Sequence, residues 1–223
     1  MQMISKLTQA IVLGLIAAPV FAASTQINSR GALGGTDAID WGQLGAPLTN
    51  VANGTAVTSV GLLSATVSGG VSQLVTSQQN APGPWMGNFA PGDNLLAQQP
   101  PPVPQPITIT FATPVQGVGT QMNLNSGPVA FNGTIKLFDT GNALLATFSS
   151  PGLMNSLADN SAVFLGALDS TADIKSVQFS SDQTFGVGIN KISIVPTPLP
   201  AAFPLLAAGL AGLAMVGRRR RTS

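Results

Sequence analysis

Any catalysis in this chain must rest on aspartate, serine, threonine or lysine, because its 223 residues contain no histidine, cysteine, glutamate or tyrosine. That removes the usual neutral-pH base, the thiolate nucleophile and most zinc ligands. Two aspartates about 5 to 9 Å apart could still hydrolyse a glycoside, and serine could pair with lysine. The eight aspartates are, however, scattered over turn-like sequence, as in solvated loops, so the composition points away from an enzyme. Asp139-Thr140-Gly141-Asn142 and Asp169-Ser170-Thr171-Ala172-Asp173 carry oxygen ligands of the kind calcium takes. Neither has the ligand density of an EF-hand loop, and Asp and Asn capping their own turns account for both. No metal or cofactor is expected. Asn53-Gly54-Thr55 and Asn132-Gly133-Thr134 likewise read as turns. For binding, the apolar face of a sugar packs on an aromatic plane, and Trp41, Trp85 and Phe89 could offer one, with Asp40, Asn88, Asp93 and Asn94 nearby in sequence for the hydroxyls. Trp85, Phe89 and Asp93 form the candidate glycan-binding set. The competing reading makes the same aromatics core or loop anchors.

Strands must position these residues. Ile107, Ile109 and Phe111 alternate with Thr108 and Thr110, and Phe131, Gly133, Ile135 and Leu137 share one face before the hairpin chemistry of Asp139 to Asn142. Leu144 to Ser149 reads as the returning strand, and Val163 to Leu165, Ile174 to Phe179 and Phe185 to Ile194 supply three more. Upstream, apolar bursts at 56–60, 62–67 and 71–75, separated by glycines, predict three short strands. A long proline-rich loop follows over 78–106, with Trp85 and Phe89 in its middle. Disorder is confined to the first dozen mature residues and the proline stretches. About nine short strands with regular turn signals and no useful helical period predict an all-β chain, a β-sandwich of jelly-roll type over residues 23–194. With no cysteine, its stability comes from packing and strand pairing alone.

The two ends carry different physics. Lys6 precedes an apolar run from Ile11 to Phe21, and Val20-Phe21-Ala22 suits cleavage after Ala22, so 1–22 reads as a signal peptide. At the other end, 195–223 begins with Val195-Pro196-Thr197-Pro198-Leu199-Pro200, an extended strip whose prolines fix φ and remove donors, keeping it out of helix and sheet ladder. The 17-residue apolar segment from Ala201 to Gly217 would be about 25 Å long as a helix, near the lower limit for a bilayer core. Arg218, Arg219, Arg220 and Arg221 then hold the terminus on the cytoplasmic side, leaving the body outside. A single transmembrane helix is expected here, either processed or kept as an ordinary anchor. Without the two ends, the body sets four cations against eight aspartates, a net charge of about −4, which disfavours a nucleic-acid partner.

At Pro198-Leu199-Pro200-Ala201, followed by the apolar segment and the arginines, the chain resembles the C-terminal sorting signals of the PEP-CTERM class of exported bacterial proteins, in the variant reading Val-Pro-Leu-Pro-Ala. Thr197 stands where that motif has valine. The resemblance covers about an eighth of the chain. It implies recognition of Pro196, the Pro-Leu-Pro-Ala motif and the arginines by an exosortase, a membrane-embedded cysteine peptidase or transpeptidase found in bacteria that make exopolysaccharide. The membrane span would then be transient, and the body would end at the cell surface or outside the cell. The body is also similar to PEP-CTERM proteins of unassigned function through Pro91-Gly92-Asp93-Asn94-Leu95-Leu96, Gly117-Val118-Gly119, Phe164-Leu165-Gly166 and Phe185-Gly186. Where relatives often carry an Ile-Asp-Asp turn, this chain has Ile189-Asn190-Lys191. The functional expectation is an exported, non-enzymatic surface or matrix protein, with a glycan-binding module for exopolysaccharide as the alternative and an exopolysaccharide-acting enzyme third.

Overall fold

The computed structural model describes residues 23–79, 85, 87–99 and 105–197. The signal peptide, the transmembrane helix and the motif residues Pro198, Leu199, Pro200, Ala201 and Arg218 to Arg221 lie outside the described residues. Among the described residues no helix is long and apolar enough to cross a membrane.

The body is all-β. Its strands are β1 (Ser24–Ile27), β2 (Asp37–Ile39), β3 (Asn50–Val51), β4 (Thr55–Thr58), β5 (Ser64–Ser68), β6 (Leu74–Gln78), β7 (Asn94–Gln98), β8 (Ile107–Leu124), β9 (Val129–Phe138), β10 (Leu144–Met154), β11 (Val163–Asp169), β12 (Ile174–Ser181), β13 (Val187–Ile189) and β14 (Ile192–Pro196). One helical turn, α1 (Arg30–Leu33), and a 3-10 turn, Trp41–Leu44, complete the set.

The strands form one large antiparallel sheet, consistent with a β-sandwich, and the 18-residue β8 is the reason it can fold over itself. The first half of β8 lies between β5 and β12, and its second half lies between β11 and the pair β13 and β14. Ser176 faces Thr110 while Ile174 faces Val115, so Phe111 to Pro114 stand opposite Lys175 alone. Such a bulge bends a strand and lets it serve two layers. The period-2 reading holds along β8: Ile107, Ile109 and Phe111 are buried, and the intervening threonines are half-exposed. They join Ile135, Leu137, Val177 and Phe179 in the main core.

Five expectations change. Asn132-Gly133-Thr134, expected as a turn, lies within β9, with Gly133 and Thr134 paired on both sides to β10 and β12. β7 lies inside the expected loop, paired with β6 and β13, because Leu95, Leu96 and Ala97 bury against both cores. The first mature residues, expected to be disordered, form β1 on β11 and then α1. Phe185 to Ile194 is two strands, broken at Asn190-Lys191. Val195 and Pro196, expected to stay out of any ladder, pair with Gly117 and Val115 in β14. Proline is tolerated there because Pro196 is the last residue of the strand and sits at a register shift, where its missing N–H breaks no ladder bond.

The predicted strands at 56–60, 62–67 and 71–75 exist as β4, β5 and β6, displaced by a few residues. Val60, Leu62 and Val71, expected within those strands, stand in the turns instead, each more than 80% exposed.

Candidate functional site

The aromatic residues expected to form a sugar platform are inside the protein. Trp41 is fully buried and donates its indole N–H to the Asn190 carbonyl at 2.8 Å. Trp85 and Phe89 sit in a second core with Val75, Leu95, Ala97 and Ala162, their ring centroids 5.8 Å apart and tilted by 60°. Gly188 of β13 lies directly under Trp85, and a Cβ there would come within 2.4 Å of the ring. Neither ring offers a plane to a ligand. Burial of large aromatics stabilises more than their exposure would, so the core-anchor reading is the one the structure realises.

The polar partners are similarly committed. Asn88 is buried in the left-handed region; its Oδ1 accepts from Asn123 Nδ2 and the Asn155 amide, both at 2.7 Å. Its Nδ2 donates to the Leu153 carbonyl and the Ser161 hydroxyl. Asp40 caps the 3-10 turn through the Gly42 amide and accepts from Asn94 Nδ2 at 2.8 Å. Asp93 accepts from Asn190 Nδ2 at 2.9 Å. The two candidate calcium stretches behave as turn caps. Asp139 accepts from the Gly141 and Ala143 amides, and Asp169 accepts from Thr171 and from the Ser24 hydroxyl. Burial raises the Asp169 pKa, but those hydrogen bonds to the charged form outweigh it and hold the carboxyl below its ordinary value.

Sequence reasoning passed over the residue with the densest network. Asn190 is buried where β13 gives way to β14. Its Oδ1 accepts from Arg30 Nη2 at 2.8 Å, and from the Gln121 amide and the Thr120 hydroxyl at 3.1 Å each. Its Nδ2 donates to Asp93 and to Gln121 Oε1. Arg30 also donates to Ser193 Oγ and to the Lys191 carbonyl, and its guanidinium lies 5.6 Å from the centre of the Phe164 ring. Burial lowers the Arg30 pKa, and the nearby Asp93 charge partly restores it. Phe164 can lie there because Gly119 and Gly166 face each other across β8 and β11; a Cβ on either would come within 2.7 Å of the ring. The glycine and Phe164 strings in the sequence therefore shape a buried polar junction. Every polar atom of the Asn190 side chain is satisfied, so the junction is structural in form.

Two open grooves among the described residues carry both polar and apolar lining suited to a ligand. One, of about 700 Å³, runs along β10 past Asn28, Ser150, Leu153, Asn155, Asp159 and Ser161, with Phe164 in its lining. Asn88 positions it from beneath: its amide and carbonyl bond to Leu157 and Ala162, fastening the 155–162 loop. A hydrogen bond from the Ser161 hydroxyl, 2.5 Å long, holds the exposed Asp159 carboxyl below its usual range. The other groove, of about 680 Å³, lies between the β4–β5 turn and the end of β14, bordered by Asp37, Leu62, Leu63, Pro114, Pro196 and Thr197. Asp37 is buried there, with one oxygen accepting from the Ala38 and Gly61 amides and the other from Ser59 Oγ. Among the described residues each groove is lined by one carboxylate, whereas glycoside hydrolysis takes two.

No family model matches the chain, and no curated protein matches it. Solved structures with some likeness include a DUF4465 family protein from Bacteroides caccae ATCC 43185, at 10% identity over 73% of this chain and 100% of that one, with a TM-score of 0.42. The enzymatically active domain of tailspike protein 4 from bacteriophage CBA120 aligns at 13% identity over 60% of this chain and 19% of that one, with a TM-score of 0.30. CsCBM6-3 from Clostridium stercorarium, in complex with cellobiose, aligns at 12% identity over 78% and 94%, with a TM-score of 0.23. None is close enough to carry an argument about what this chain does.

Proposed function

We propose that this chain is an exported, non-enzymatic surface or matrix protein. Its body is a jelly-roll type sandwich, and its C-terminal segment is held briefly in the membrane and cut by an exosortase-type peptidase. The observation that carries the proposal is where the predicted cuts fall relative to the sheet. The Ala23 amide donates to Ser170 Oγ and β1 begins at Ser24, while β14 ends at Pro196 and the Thr197 hydroxyl donates to the Pro114 carbonyl. Cleavage after Ala22 and within Pro198-Leu199-Pro200-Ala201 would therefore remove both ends without touching any strand pairing described here. The body also lacks the side chains most hydrolases use. In the native host, mass spectrometry of the protein from cell surface and medium is expected to find a chain starting at Ala23 and lacking Arg218 to Arg221. Recovery of an intact Arg221-Thr222-Ser223 terminus on surface-exposed protein would mean a plain anchor, and turnover of the host polysaccharide by the purified protein would overturn the non-enzymatic part.

A second reading, binding of exopolysaccharide, is favoured by the groove along β10. Hydroxyl, amide and carboxylate groups surround the exposed Leu153 there, the mixture of apolar surface and convergent acceptors that sugars use. The expected ligand contacts are Asn155, Asp159 and Ser161 rather than Trp85, Phe89 and Asp93. Binding of the host polysaccharide should fall about tenfold in Asp159→Ala, through loss of a hydrogen bond to a charged group. Because the Asp159 pKa is lowered, that binding should persist through mildly acidic pH and fail only as the carboxyl protonates, below its ordinary value near 4. Equal binding by the wild type and the variant across that range would remove the groove from the reading.

A further inference from the structure

The groove at the end of β14 has an unusual rim. Asp37 clamps the β4–β5 turn from inside through the Gly61 amide at 2.7 Å and through Ser59, whose hydroxyl also accepts from the Leu63 amide. A Cβ at position 61 would meet the Asp37 carboxyl at 2.8 Å, so only glycine fits against the clamp. The Val60 amide is tied to Ala38 and the Leu62 amide to Ser59. This rigid turn holds Val60 and Leu62 outward, 83% and 82% exposed, with Leu62 at a φ of 68° that a side-chain-bearing residue seldom adopts. Two large aliphatic side chains fixed in water on one turn are a surface made for contact.

The covalent chain indicates what they contact. Thr197 borders the same groove as Leu62, and the apolar segment begins at Ala201, four residues on. Fully extended, four residues reach at most about 14 Å. If that segment lies in a bilayer, as the proposed function has it, this end of the body is held against the membrane surface. We infer that the Val60-Gly61-Leu62 turn is a membrane-contact edge, its two side chains inserted in the lipid interface beside the anchor before any cleavage. The inference rests on the membrane reading of the tail. Tethering keeps the turn at high effective concentration near the lipid, so two side chains suffice for a contact that a free body would make only weakly. The charged groups near the groove are Asp37, whose carboxyl accepts from Ala38, Gly61 and Ser59, and Asp169, Asp173 and Lys175 around the turn that carries Ala172, so the edge has no excess of positive charge and anionic lipid should not strengthen the contact. Val71 is the internal control. It is 83% exposed but lies at the opposite end of β5, whose five residues span about 17 Å.

The chain has no cysteine, so Leu62→Cys, Val60→Cys and Val71→Cys each create a single thiol for an environment-sensitive fluorophore. The full chain would be reconstituted in phosphatidylcholine vesicles, floated after a carbonate wash, and probed with nitroxide lipids. Quenching at positions 60 and 62 several-fold stronger than at 71, not strengthened by added anionic lipid, is the expected result. A chain that floats but quenches equally at all three positions overturns the inference and leaves the tail reading standing. Failure to float overturns the tail reading and the inference with it. Shielding of positions 60 and 62 in detergent without lipid would assign the edge to a protein partner, such as a second copy, and equally overturn it.

Discussion

Asn190→Leu is expected to lose about 3–5 kcal/mol of stability, seen as a lower midpoint in chemical denaturation at unchanged slope. Leucine keeps the branching at Cγ but none of the polar atoms. The half-buried Arg30 guanidinium would lose an acceptor at 2.8 Å, the Gln121 amide and Thr120 hydroxyl one each, and Asp93 a donor. Leaving buried polar and charged groups unpaired costs far more than the net worth of the bonds removed. Asn190→Asp is the informative companion. It retains the three interactions made by Oδ1 and strengthens the one to Arg30, but turns an acceptor toward Asp93 and Gln121 Oε1. It should therefore cost less than the leucine variant. Losses under about 1 kcal/mol in both variants would mean that the junction does not hold the sheet together and that its polar groups serve a ligand.

Trp85→Ala should cost a similar 3–5 kcal/mol, because a fully packed indole leaves a cavity among Val75, Phe89, Leu95 and Ala97. Gly188→Ala alone should cost about 1–3 kcal/mol by driving its methyl into the ring, 2.4 Å from Cη2. Combined, the methyl enters space the indole has left, so the double variant should be more stable than the sum of the two losses predicts, by roughly 0.5–3 kcal/mol. Strict additivity in a thermal-melt cycle would mean that the ring does not rest on Gly188. Trp85→Ala consequently reports on folding, and loss of sugar binding in that variant would say nothing about a binding surface.

The residues that alternate along β8 and β9 were legible because a strand with one buried face must repeat every two residues, and that constraint is local. Residue composition alone likewise removes histidine and cysteine chemistry. What remained hidden depends on neighbours distant in sequence. Trp85 and Phe89 are the same side chains whether they form a platform or a core; the pairing of β7 with β6 and β13, which brings Gly188 under the indole, decides between them. Val60 and Leu62 match strand composition, yet the buried Asp37 from 22 residues or more upstream makes their segment a turn and sets them in solvent. Asn190 lies in a segment whose composition predicts one continuous strand, and only the convergence of Arg30, Asp93 and Gln121, each at least 69 positions away, gives it its place in the network. Periodicity and composition are properties of a segment, so the sequence determined the alternating strands and the absence of histidine and cysteine chemistry. Burial and hydrogen-bond satisfaction are properties of whatever the closed sheet brings alongside, so only the tertiary structure decided which aromatics are core, which polar groups are spent, and which apolar turn is left facing outward.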